Sequence, residues 1–232
     1  MSESAARSAS SQILPYVLPY FLYVAIGALA DPRTHAELAY SARLLAVGGA
    51  LAFFWREYRP LTGPRAVAGS LFAGVVAGLA GTGLWVALRL PFPAGSPAPW
   101  SDSAWLARAL GSTALPPFAE ELLFRGFALR VILLWERARA ERRPLPFQDA
   151  LERSSLADVA PGAWSALAVL GSSVLFAAGH TPAEWVAASA YGVLMCALWI
   201  ARGDLVSCIC AHAVTNAALA LYVRASGQWG SW

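Results

Sequence analysis

Long apolar blocks alternate along this chain with short polar joints. Seven blocks, at 12–30, 39–55, 66–88, 115–135, 164–179, 183–200 and 205–223, approach the roughly 20 apolar residues that carry a helix across a bilayer core. The pattern predicts an all-α, polytopic transmembrane helix bundle of about seven spans, within a range of six to eight, with any active site inside the bundle. Residues 91–103 are rich in Pro, Gly and Ser and read as a loop. The segment 105–111 reads as a short interfacial helix. The longest polar stretch, 137–160, reads as a surface loop that begins helical. No internal repeat or low-complexity tract divides the chain. It reads as one membrane-embedded domain over 1–232, with N-terminal spans and a loop over 1–112 and a candidate core over 113–223.

Composition supports a lipid environment. Hydrophobic residues make up 58% and charged residues 13%, against about a quarter charged in soluble domains. All 17 basic residues are arginine, which reads as codon bias. They sit between apolar blocks and form no basic stripe, so the expected partner is the bilayer and not nucleic acid. One joint carries Arg56, Arg59 and Arg65, and a second carries Arg137, Arg139, Arg142, Arg143 and Arg153. In a seven-span chain both joints fall on one side, which the positive-inside rule makes cytoplasmic. The N-terminus is then inside and the C-terminus outside. Arg7 and a Ser/Ala-rich stretch precede the first block, and Ala28-Leu29-Ala30 resembles a signal-peptidase site. That block is long for a signal segment and further spans follow, so it reads as a retained first helix.

Cys196, Cys208 and Cys210 are an odd set in apolar segments, not a disulfide framework. A metal set of Cys208, Cys210 and His212 is disfavoured, because helical residues two apart point about 200° apart.

Ionisable residues inside spans cost roughly 2.5–3.5 kcal/mol each at a helix centre, and three places accept that cost. The first is Pro116-Pro117-Phe118-Ala119-Glu120-Glu121-Leu122-Leu123-Phe124-Arg125. The prolines suit a helix's first turn. Glu121 and Arg125, four apart, can pair on one face. Glu120 lies about 100° round the helix from that pair and is the candidate general base. The second place is Phe176-Ala177-Ala178-Gly179-His180. The third is His212-Ala213-Val214-Thr215-Asn216, whose outer members share a face. Each place has a structural alternative: acids at the membrane surface, a histidine capping a helix end, and hydrogen bonding between helices without catalysis. His35 reads as a loop residue without a role.

In order and spacing, Glu120-Glu121-x-x-x-Arg125, Phe176-x-x-x-His180 and His212-x-x-x-Asn216 resemble the three motifs of the CAAX-protease and bacteriocin-processing family of intramembrane endopeptidases. The resemblance covers about 115–223. The run Pro15-Tyr16-Val17-Leu18-Pro19-Tyr20 also resembles a bacterial CAAX-protease-related branch associated with exosortase and PEP-CTERM systems. The family resemblance implies that Glu120 activates water with help from His180. It implies that His212 and Asn216 stabilise the oxyanion, and that Glu121 and Arg125, beside Phe176, hold the site in shape. Peptide hydrolysis needs such a base near water and such donors.

Glu120, His180 and His212 could alternatively hold a catalytic zinc. No His-Glu-x-x-His helix is present, so a cofactor-free glutamate mechanism is favoured, with zinc as the alternative. The expected substrate is a membrane-anchored protein or peptide, whose prenylation is left open. The expected location is a multi-pass position in a bacterial inner (cell) membrane. Competing readings are a non-catalytic scaffold or immunity protein on the same fold, and a proton-coupled transporter. The sequence does not give the oligomeric state.

Overall fold

The computed structural model describes residues 9–29, 35–59, 63, 66–92 and 98–231. Arg7, Ala30 and Arg65 lie outside the described residues, as do 93–97 of the expected loop. Among the described residues every regular element is helical. The main helices are α1 (Ala9–Leu29), α2 (Ala36–Phe53), the short α3 (Trp55–Tyr58), α4 (Val67–Arg89) and α5 (Asp102–Glu121). A π-helical segment, Leu122–Ala128, joins α5 to α6 (Leu129–Ala140). After the one-turn α7 (Pro146–Gln148) come α8 (Ala166–Ala178), α9 (Trp185–Arg202) and α10 (Leu205–Ser226).

Five helical stretches are long and apolar enough to cross a membrane: Gln12–Leu29, Ala36–Phe53, Val67–Arg89, Pro182–Arg202 and Leu205–Ser226. They match five of the seven expected blocks. The other two differ in form. Helix α8 has 13 residues, so it rises about 20 Å, less than the roughly 30 Å hydrocarbon core. The block 115–135 straddles α5, the π segment and α6, which run on without a break from Asp102 to Ala140. The segment 105–111 is therefore not a separate interfacial helix. Ser101 caps α5 by accepting from Ala104 N, and the helix continues through it. The division at 112/113 likewise falls inside α5.

Pro116 and Pro117 sit inside α5, not in its first turn. Proline lacks the N–H that would bond the carbonyl four residues back. In a membrane such freed carbonyls are tolerated when a neighbouring helix supplies a donor. Asn216 Nδ2 donates to Ser112 O at 2.9 Å, four residues before Pro116. The same device recurs in α1, where Pro19 frees the carbonyl of Pro15 and the Tyr58 hydroxyl donates to it.

Successive long helices run up and down between two ends. At one end Gln12 Nε2 donates to Ser154 O, Ser70 Oγ to Asp204 Oδ2 and Trp199 Nε1 to Ala163 O. Arg56, Arg59 and the arginines of 137–153 lie at this end. The stretch 137–160 is folded and not an open loop: Asp149, Ala150 and Leu156 are buried, and Arg153 pairs with Asp149 at 3.0 Å. At the opposite end Arg89 Nη1 donates to Ala183 O, Trp105 Nε1 to Ala220 O, and Arg224 pairs with Asp102 at 2.8 Å.

Small residues set the packing. A Cβ at Gly78 would lie 2.6 Å from Ala211 O, and one at Gly74 would lie 2.6 Å from Cys210 Cβ, so α4 and α10 meet at backbone distance. The Thr215 hydroxyl donates to Gly78 O across this seam at 2.9 Å. Outward faces carry Phe21, Leu45, Phe72, Leu79, Val174 and Leu221, all exposed apolar side chains matched to lipid.

Candidate active site

The polar residues of the three motifs converge. Glu120 and Glu121 end α5, and Arg125 lies one turn on in the π segment. Segments of π-helix inside α-helices often mark functional sites, because the extra residue per turn re-aims side chains. Glu121 and Arg125 are wholly buried and pair at 3.2 Å. Arg125 Nη2 also donates to Gly192 O at 2.9 Å, which ties the pair to α9. Its guanidinium lies 5.1 Å from the centre of the Phe176 ring.

From α10, His212 Nδ1 meets Glu121 Oε1 at 2.9 Å, and its Nε2 stands 4.0 Å from Glu120 Oε2. His212 therefore bridges the two glutamates. A carboxylate accepts, so Nδ1 carries the proton in that contact and Nε2 faces the cavity. His180 is fixed in a similar way. Its Nδ1 lies 2.9 Å from Phe176 O, and a carbonyl only accepts. Phe176 forms the wall between the two imidazoles, with its ring centroid 4.7 Å from His180 and 5.9 Å from His212.

Glu120, His180, His212 and Asn216 line one cavity of about 190 Å³, together with Phe176. The Glu120 side chain is 12% exposed, whereas that of Glu121 is fully covered. This difference separates two adjacent carboxylates into one that water reaches and one held by Arg125 and His212. All the residues singled out from the three motifs lie in or directly beneath this cavity.

Sequence reasoning passed over several further wall residues. Tyr191 donates to Thr215 Oγ1 at 3.0 Å and touches both Phe176 and His212 with its ring. Trp85 packs on His180. Ser112 and Arg108 line the cavity from α5. Their signal was the spacing 108, 112, 116 and 120, one face of a single helix, which becomes visible only once 105–111 is joined to 115–121.

Among the described residues no group of three His, Cys, Asp or Glu stands close enough to hold a metal ion. The sulfurs of Cys208 and Cys210 go to different neighbours, Met195 O and Leu71 O, as their opposed faces predict.

Residues 102–218, half of the chain, match the family model described as type II CAAX prenyl endopeptidase Rce1-like. The chain belongs to this family. No curated protein and no solved structure matches it. The match begins at the first residue of α5 and takes in every motif residue above, so family membership and site geometry fall on the same helices. The Pro15–Tyr20 run, on which the exosortase-associated resemblance rested, lies outside it. Membership and the membrane-length helices make the chain an integral, multi-pass membrane protein of the CAAX-protease-like intramembrane peptidase kind.

Proposed function

We propose that this protein hydrolyses a peptide bond in a membrane-associated protein or peptide by a glutamate-activated water. The observation that carries the reading is Glu120, a carboxylate that water reaches inside an otherwise apolar bundle, sharing one cavity with His180, His212 and Asn216. Glu120 takes a proton from the attacking water. His180, oriented by Phe176 O, presents Nε2 to help place that water. The amide of Asn216 carries two hydrogens and spends one on Ser112 O, which leaves the other for the oxyanion of the tetrahedral intermediate. His212, oriented by Glu121, adds a second donor at Nε2 when doubly protonated. Arg125 acts through Glu121 as a positioning residue. Glu120 then returns its proton to the leaving amine.

The test is cleavage of membrane-anchored candidate peptides by purified wild type and by Glu120→Gln, each with and without a zinc chelator. Glu120→Gln keeps shape and removes the base. The reading expects cleavage by wild type alone, unchanged by chelation. Retained cleavage by Glu120→Gln overturns it. Loss on chelation replaces it with a metal mechanism drawing on Glu120, His180 and His212.

A further inference from the structure

The arginines divide unequally between the two ends of the bundle. One end carries Arg56, Arg59, the five arginines between Arg137 and Arg153, and Arg202. Among the described residues the opposite end carries Arg89, Arg108 and Arg224, and Arg43 lies in the half of α2 nearest that end, where its Nε donates to Tyr23 O. Arginine and lysine near span ends orient a membrane protein, with the richer side cytoplasmic, and acidic residues weigh little in this balance. The described arginines thus place the first end in the cytoplasm.

The cavity belongs to the other end. His180 follows the last turn of α8 there, just before α9 begins, and Glu184 stands beside it on the cavity wall. Arg108 lines the same wall from α5. Glu120 lies twelve residues further along α5, about 18 Å of helix axis. On α10, His212 lies seven residues deeper than Leu219, about 10 Å. The cavity therefore reaches from the arginine-poor face towards the middle of the bundle. Its floor is closed towards the arginine-rich end. Glu121, Arg125, Cys196, Trp199 and Cys208 all have essentially no exposed surface.

We infer that the cavity opens on the non-cytoplasmic face, and that its substrates are peptide segments presented at that face of the membrane, not chains that approach from the cytosol. The word substrate rests on the peptidase reading above; the orientation stands on the arginine distribution and the closed floor alone.

The experiment uses the full chain in a Gram-negative host, with Cys210→Ala removing the one half-exposed native thiol. Ala183→Cys places a thiol beside the mouth, and Ala140→Cys places one at the arginine-rich end; both positions are exposed. Sealed spheroplasts are treated with a membrane-impermeant maleimide. The expected result is modification of Ala183→Cys in sealed spheroplasts, and loss of Ala140→Cys modification unless the membrane is permeabilised. The reverse pattern overturns the inference. A second readout needs no side-chain access: alkaline phosphatase joined after Trp232 is active only outside the cytoplasm, and a fluorescent protein joined there is bright only inside. An active phosphatase fusion is expected, and an inactive one with a bright fluorescent counterpart overturns the inference. Neither assay depends on cleavage, so a wrong orientation and a wrong peptidase assignment give separate results.

Discussion

Asn216 on α10 donates to the backbone carbonyl of Ser112 on α5 at 2.9 Å, the carbonyl that Pro116 leaves without its helical donor. A break in one helix's hydrogen-bond ladder thus positions a side chain of another. The amide is held by one hydrogen while the other stays available to the cavity.

This relationship gives a double-variant test. Asn216→Ala should lower stability by about 1–3 kcal/mol, because the Ser112 carbonyl loses its donor. It should also lower turnover by roughly 10²–10³-fold, the usual loss for one oxyanion donor. Pro116→Ala restores a backbone N–H to that carbonyl. In the Pro116→Ala background, Asn216→Ala should still abolish most turnover but cost little stability. Thermal unfolding in detergent, read beside cleavage, separates the two effects. Equal stability losses in both backgrounds would contradict the role given to the proline.

Arg125→Ala should destabilise by about 3–5 kcal/mol, because it leaves the Glu121 carboxylate buried without its main partner. Adding Glu121→Gln should recover part of that loss by removing the stranded charge. The measurement is folded yield and thermal midpoint of the single and paired variants. An Arg125→Ala protein as stable as wild type would show that the pair does not hold the site together.

Two glycines of α4 make a matched comparison. Gly78→Ala drives a Cβ to 2.6 Å from Ala211 O, a backbone atom that yields only if α10 moves. The expected cost is about 1–3 kcal/mol. At Gly83 an added Cβ meets nothing within 4 Å, so Gly83→Ala should gain roughly 0.5–1 kcal/mol from helix propensity. The difference between their thermal midpoints tests whether α4 and α10 are held at backbone distance.

The thiols offer a probe that needs no assay for cleavage. Cys196 and Cys208 are fully buried and Cys210 is half-exposed. One thiol per chain should react with a small maleimide in the folded protein, and all three after unfolding. Rapid reaction of Cys196 or Cys208 in the native state would mean that the floor beneath Glu121 opens.

Local spacing made part of this site legible. Residues four apart on a helix share a face, so the Glu121–Arg125 pair and the common face of His212 and Asn216 follow from the sequence. Glu120 stood out from Glu121 by its angle round the same helix. Relations between helices did not follow. No spacing rule says that His212 bonds Glu121 through Nδ1 while its Nε2 faces Glu120. Pro116 and Pro117 read as a helix start because proline usually stands there. In α5 a donor on a distant segment satisfies the freed carbonyl, and local chemistry contains no trace of it. The same misreading cut 105–111 away from the helix it begins, and so hid Arg108 and Ser112. Span number was legible as apolar blocks, but not that α8 would be short or that 115–135 would be the middle of a longer helical run.

The closed floor has an electrical consequence. A hydrolase needs water at its reacting carbon, and a cavity reaching into the bundle brings that water part of the way across the insulating layer. Were the lower half wet as well, ionisable residues along it could relay protons from one face of the bilayer to the other. The packed residues around Glu121 and Arg125 act as the remaining dielectric, so a wet site can stand within the bundle without opening a path across the bilayer.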